Sequence, residues 1–214
     1  MLLSIHPDTP EERKIRQIVA CLRNGGIIIY PTDTVYGIGC DIGNVRAVEK
    51  VCRIRGIDPE KALLSFVCHD LSHLSQYTLP FDRATYKLMN RLLPGPYTFI
   101  LKASNEVPKL LKFKRKTVGI RVPDNAIARA IVRELGNPLL SISLRATVAD
   151  ADDVTDYVTY PDEIFEQYQY EVDMVIDGGT GDNDPSTVVD CTGDTPVLVR
   201  RGKGAETLEE LLGE

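Results

Sequence analysis

Apolar positions along the chain alternate between helical and extended spacing. Ile15, Ile18, Val19 and Leu22 recur at the helical period, with Thr9 placed to cap the helix, Pro10 at its first position, Glu11 and Glu12 in its first turn and Gly25 closing it. The run Gly26-Ile27-Ile28-Ile29-Tyr30 then reads as a strand covered on both faces. A second amphipathic helix, from about Asn44 to Arg55, turns Val45, Val48, Val51 and Cys52 inward. Leu63 to Cys68 predicts a short strand, Asp82 to Leu93 a helix stopped by Pro94, and Tyr97–Lys102 and Thr117–Val122 two strands. Asp124 or Asn125 caps a helix through Leu135 that Gly136 ends, and Leu139–Leu144 is extended. The last third predicts a helix near Asp162–Tyr168, strands at Met174–Asp177, Thr187–Cys191 and Val197–Arg200, and a short terminal helix. Interleaved helices and strands define an α/β layer structure, and consecutive late strands joined by short turns make part of its sheet antiparallel. No repeat or hinge-like linker divides residues 1–214, so the expectation is a single domain.

Composition narrows the class. With 214 residues, 43% hydrophobic and 26% charged, the chain is long enough for a sizeable core and ordinary for a globular protein. The net charge of −6 conceals a split: residues 1–125 hold 19 Lys and Arg against 12 Asp and Glu, while Ala146 to Val199 hold neither Lys nor Arg. Such asymmetry points to an anionic partner for the basic half or to two differently solvated faces. Five cysteines without a CxxC spacing indicate neither a disulfide framework nor a zinc site, and read as small buried apolar residues in a reducing compartment. The amino-terminal apolar run is too short for a signal peptide and no stretch reaches membrane-spanning length, so a cytoplasmic protein is expected.

Candidate chemistry concentrates in Pro31-Thr32-Asp33-Thr34-Val35-Tyr36-Gly37, directly after the buried strand, where open α/β sheets place their ligands; the same residues also make good turn material. Pro94-Gly95-Pro96 reads as a rigid turn before its strand. Arg121 is embedded in the otherwise apolar Val118-Gly119-Ile120-Arg121-Val122-Pro123, so its guanidinium requires an anionic partner. Ser141 and Ser143 share one sheet face by period-two alternation, and Pro185-Ser186-Thr187 opens a further strand. Together with Thr34 these serines would line a pocket for a small polar ligand. Lys112 to Lys116 forms a basic loop. Gly37-Ile38-Gly39-Cys40-Asp41-Ile42-Gly43 misses the dinucleotide fingerprint by one residue, no Walker A sequence exists, and His69 and His73 lack a third ligand, so no metal site is expected.

Four segments, Pro31 to Cys40, Pro94 to Thr98, Val118 to Pro123 and Ser186-Thr187-Val188-Val189-Asp190 through Arg200, resemble the YrdC/YciO family, in order and over nearly the whole chain. The resemblance implies a single YrdC-like domain, a twisted mixed parallel and antiparallel sheet with helices packed on it, and a concave basic face suited to tRNA or double-stranded RNA. Family members of the threonylcarbamoyl-AMP synthase type use ATP with Mg²⁺, L-threonine and bicarbonate. Carried over by motif, Thr34, Arg121, Ser141 and Ser186 would hold the amino acid, Arg121 pairing with its carboxylate. Lys61, Thr117, Ser143 and Arg200 would face the nucleotide.

Two departures accompany the resemblance. Val51-Cys52-Arg53-Ile54-Arg55-Gly56 lacks the synthases' Lys-x-Arg-Pro element, leaving Arg55 as the replacement cation, and Ser143-Leu144-Arg145 replaces a Ser-x-Asn element. Both resemble the YciO branch. Two functions follow as expectations: a synthase-like enzyme of tRNA threonylcarbamoyladenosine modification, or an RNA-binding module using Arg53, Lys112, Lys114, Arg115 and Lys116.

Overall fold

The computed structural model describes residues 1–58, 64–111, 116–144 and 157–213. Ten strands form one mixed sheet: β1 (Leu2–Ser4), β2 (Ile28–Tyr30), β3 (Gly37–Asp41), β4 (Ser65–Val67), β5 (Tyr97–Lys102), β6 (Thr117–Arg121), β7 (Leu139–Ser143), β8 (Met174–Asp177), β9 (Thr187–Asp190) and β10 (Val197–Arg200). Their spatial order is β1-β8-β2-β3-β7-β4-β6-β5-β9-β10. Helices α1 (Glu12–Arg23), α2 (Val45–Ile54), α3 (Leu74–Tyr77), α4 (Arg83–Leu92), α5 (Glu106–Leu111), α6 (Ala126–Leu135), α7 (Pro161–Tyr168) and α8 (Ala205–Leu212) connect them.

The predicted elements recur, with four additions. β1, β3, α3 and α5 were not anticipated, and of the late strands only β9 and β10 are antiparallel neighbours, because β8 lies far across the sheet between β1 and β2. Asn44, Asp82 and Asn125 cap their helices through side-chain oxygens that accept from Ala47, Thr85 and Ala128 amides. Gly136 ends α6 at φ 86°, a left-handed conformation glycine adopts without penalty. The expected Thr9 cap is not formed: the imidazole Nδ1 of His6 accepts the Thr9 amide at 3.1 Å and contacts its hydroxyl at 3.0 Å, and α1 starts after Glu11 instead.

Side-chain alternation sorts the core onto two faces. Ile28, Tyr30, Met174 and Ile176 pack with α1 and α6, whereas Ile27, Ile29 and Val175 pack with the opposite layer, which includes α2 and α4. This confirms a β2 buried on both faces. The decisive asymmetry is on the α1/α6 face. Its apolar cluster takes no described residue from β5, β6, β9 or β10. The strands β6-β5-β9-β10, with the neighbouring parts of β7 and β4, therefore turn polar side chains into space that no described helix fills. Cys40, Cys52, Cys68 and Cys191 are buried and Cys21 partly so, all as free thiols.

Candidate functional site

The uncovered strands enclose a cavity of about 610 Å³, its open mouth included. Period-two alternation supplies its lining. β7 contributes Ser141 and Ser143, β6 contributes Thr117, Gly119 and Arg121, β5 contributes Thr98, and Ser186 and Arg200 come from the β9–β10 edge. Of the residues singled out in the sequence, Arg121, Ser141, Ser143, Ser186, Thr117 and Arg200 meet here.

Arg121 is the electrostatic centre. It ends β6 opposite Val67, and its side chain is only 9% exposed. Nη2 donates to Asp33 Oδ1 at 2.6 Å, to Thr34 Oγ1 at 2.6 Å and to Thr32 Oγ1 at 3.0 Å. The anion required by a buried guanidinium is thus Asp33, itself 9% exposed. Thr34 is buried and reaches the site through Arg121 rather than by lining the cavity. Arg121 Nε is buried with no hydrogen-bond partner among the described residues.

The remaining hydroxyls are held in place. Tyr30, fully buried, donates to Ser141 Oγ at 2.7 Å, and burial pushes its phenol up to about 12. Ser186 Oγ lies 2.9 Å from Thr98 Oγ1 and accepts from Arg200 Nη2 at 3.1 Å. Lys203 ties down the loop that carries Asp33. Its ammonium donates to the Asp33 carbonyl at 2.9 Å and to Asp182 Oδ2 at 2.6 Å, and that bond holds the Asp182 carboxyl below the usual carboxylate range. The Asp182 amide in turn donates to the Thr34 carbonyl.

Other expected site residues lie elsewhere. Arg55 is half-buried at the C-cap of α2 and is not among the cavity residues; Arg53 and Lys116 are exposed and also outside it. Lys61, Lys112, Lys114 and Arg115 lie outside the described residues. Asp33, Thr32, Thr98 and Tyr30 carry contacts that the sequence reading did not assign to them. The nearest signals were the Thr-Asp-Thr triplet and the Pro-Gly-Pro-Tyr-Thr motif.

Among the described residues no group of three His, Cys, Asp or Glu side chains could hold a metal ion, and no helix is long and apolar enough to cross a membrane. A buried arginine held by Asp33 and two loop threonines, beside a cavity lined by strand hydroxyls on a mixed sheet, defines an α/β protein with a polar candidate site.

Comparison with known proteins gives this class a family. The Sua5_yciO_yrdC family model, described as "Telomere recombination", matches residues 20–202. The chain is 46% identical over 201 residues to the Escherichia coli protein YciO, covering 94% of each, and the crystal structure of E. coli YciO superposes with a TM-score of 0.85, covering 95% of this chain and 96% of that one. The threonylcarbamoyl-AMP synthase of Bacillus subtilis is 31% identical over 94% of this chain and 57% of its own length. P. abyssi Sua5, in complex with L-threonine, superposes with a TM-score of 0.87 at 27% identity over all of this chain and 61% of that one. The chain belongs to the Sua5/YciO/YrdC family, which contains threonylcarbamoyl-AMP synthases.

Proposed function

We propose that the Arg121 cavity binds L-threonine and ATP and forms threonylcarbamoyl-adenylate for tRNA modification. The observation that carries this reading is the convergence of Arg121, Ser141 and Ser186 with Thr117, Ser143 and Arg200 on one cavity. Arg121 supplies a fork for the amino-acid carboxylate, while Ser141 and Ser186 offer hydroxyls to its polar groups. Arg200, with Thr117 and Ser143, faces the nucleotide phosphates.

The chemistry asks for positioning and charge. Bicarbonate carboxylates the threonine amine with loss of water. A carbamate oxygen then bonds to the α-phosphorus as the α–β anhydride bond breaks, and pyrophosphate leaves with the electron pair. Holding three reactants in one pocket lowers the entropic cost of that displacement, and a cation beside the phosphates stabilises the charge that develops. Mg²⁺ enters with ATP as part of the substrate. The described lining offers hydroxyls and arginines but no carboxylate, a donor set suited to an ion held mainly by phosphate oxygens. Calorimetric titration with L-threonine and with MgATP tests the reading: both bind wild-type protein, and Arg121→Ala loses threonine. Absence of both heats would overturn it.

A further inference from the structure

We infer that Asp33 is an internal carboxylate latch, occupying the Arg121 guanidinium until a ligand carboxylate displaces it. The inference rests on the reading of Arg121 as the carboxylate anchor and adds how access to that anchor is controlled. Asp33 and Arg121 are both 9% exposed, so the pair is a buried interaction rather than a surface contact. The pairing is nevertheless incomplete. Only Oδ1 reaches the guanidinium, at 2.6 Å on Nη2, while Oδ2 accepts the Asp124 amide at 3.1 Å. Nη2 carries two protons for the three oxygens around it. Nε, also buried, has no acceptor among the described residues. A latch that crowds one nitrogen and leaves its neighbour empty is a poor match for a donor built for two-pronged recognition of carboxylates.

A free carboxylate that engages Nε and Nη2 together fills the empty donor and takes the place of Oδ1. Release of Asp33 is then local. Asp33 also lines an open groove on which Arg91, Asp124 and Lys203 stand, so space adjoins the residue. The Lys203 bond to the Asp33 carbonyl keeps the backbone anchored, so a side-chain rotation suffices. The latch keeps a buried arginine paired when the cavity is empty and admits only ligands whose own carboxylate forms the better bond. Specificity for a carboxylate then comes from competition as well as from complementarity.

Nuclear magnetic resonance of the full ¹⁵N-labelled chain tests this through two signals, the Arg121 Nε–H and the Asp124 amide, during separate titrations with sodium acetate and L-threonine. In wild-type protein acetate moves both signals together, because Asp124 loses the oxygen it donates to. In Asp33→Asn the acetate needed for half the Arg121 shift falls roughly tenfold, as expected if about one molecule in ten has its guanidinium free in the wild type. Movement of the Arg121 signal with the Asp124 amide unchanged would show a ligand binding beside Asp33 and overturn the latch. An equal or greater acetate requirement in Asp33→Asn, or no response in either protein, overturns it as well. Should Asp33→Asn fail to fold, the two wild-type signals decide alone. If acetate behaves as expected but L-threonine moves neither signal, the latch stands and the threonine reading falls.

Discussion

Arg200 clasps Ser186: Nη2 donates to the serine carbonyl at 2.7 Å and to its hydroxyl at 3.1 Å, while Nε reaches the same carbonyl at 3.1 Å. A cation at the sheet edge thereby fixes a hydroxyl that lines the cavity. Arg200→Ala removes these bonds together, with an expected stability loss of about 1–2 kcal/mol in urea denaturation. Calorimetry should show weakened binding of both ligands. Arg200→Lys, without the planar fork, should recover the nucleotide charge but not the Ser186 geometry.

Gly119 lies in the cavity lining, where an added side chain would crowd its neighbours. A Cβ there would stand 2.9 Å from Ser65 Oγ and 3.3 Å from both the Leu64 carbonyl and Thr98 Cγ2. Gly119→Ala should lower stability by about 1–2 kcal/mol through overpacking. It should also weaken threonine binding by roughly tenfold, since the displaced Thr98 is the partner of Ser186. Unchanged affinity by calorimetry would remove this strand from the site.

Tyr30 gives a pH signature. Burial pushes its phenol from the ordinary value of 10 up to about 12, so the unfolded chain loses this proton first as pH rises. Its contribution to stability is complete below pH 10 and is lost as pH climbs toward about 12. Buried Cys68 and Cys191, both raised to about 12 chiefly by burial, add to the same alkaline decline. Tyr30→Phe should flatten the fall between those limits while lowering neutral-pH stability by about 1 kcal/mol through loss of the Ser141 bond. Alkaline urea titrations of the two proteins check both effects.

Salt separates the small-ligand site from an RNA surface. In the proposed site threonine meets a buried guanidinium, so its affinity should change by less than about threefold between ~50 and ~200 mM salt. An RNA held by exposed lysines and arginines would lose affinity steeply over that range through counterion release. Tight, salt-sensitive binding of structured RNA without any threonine affinity would favour the binding-module alternative.

The sequence revealed most helices and strands, though not the short α3 and α5, because their burial follows simple periods, as in Ile15-Ile18-Val19-Leu22. It did not reveal β3, since Gly37 and Gly39 read as loop punctuation. The fold needs Gly39 for close approach: a Cβ there would meet the Leu140 carbonyl at 2.6 Å. β1 was missed because three residues carry little periodicity and pair with β8, more than 170 residues away. Arg121 announced itself as a charge in an apolar strand, and alternation put Ser141 and Ser143 on one face. The partner of Arg121 was not legible, because Asp33 lies 88 residues away in a segment that also makes an ordinary turn.

The reaction proposed for this cavity is formation of threonylcarbamoyl-adenylate, and pyrophosphate release measures it most directly. Incubated with ATP, Mg²⁺, bicarbonate and L-threonine, the wild-type chain should release pyrophosphate. Omitting threonine or substituting Arg121→Ala should abolish the release. Pyrophosphate formation that is absent with every substrate present, or that proceeds equally without threonine, would contradict the account.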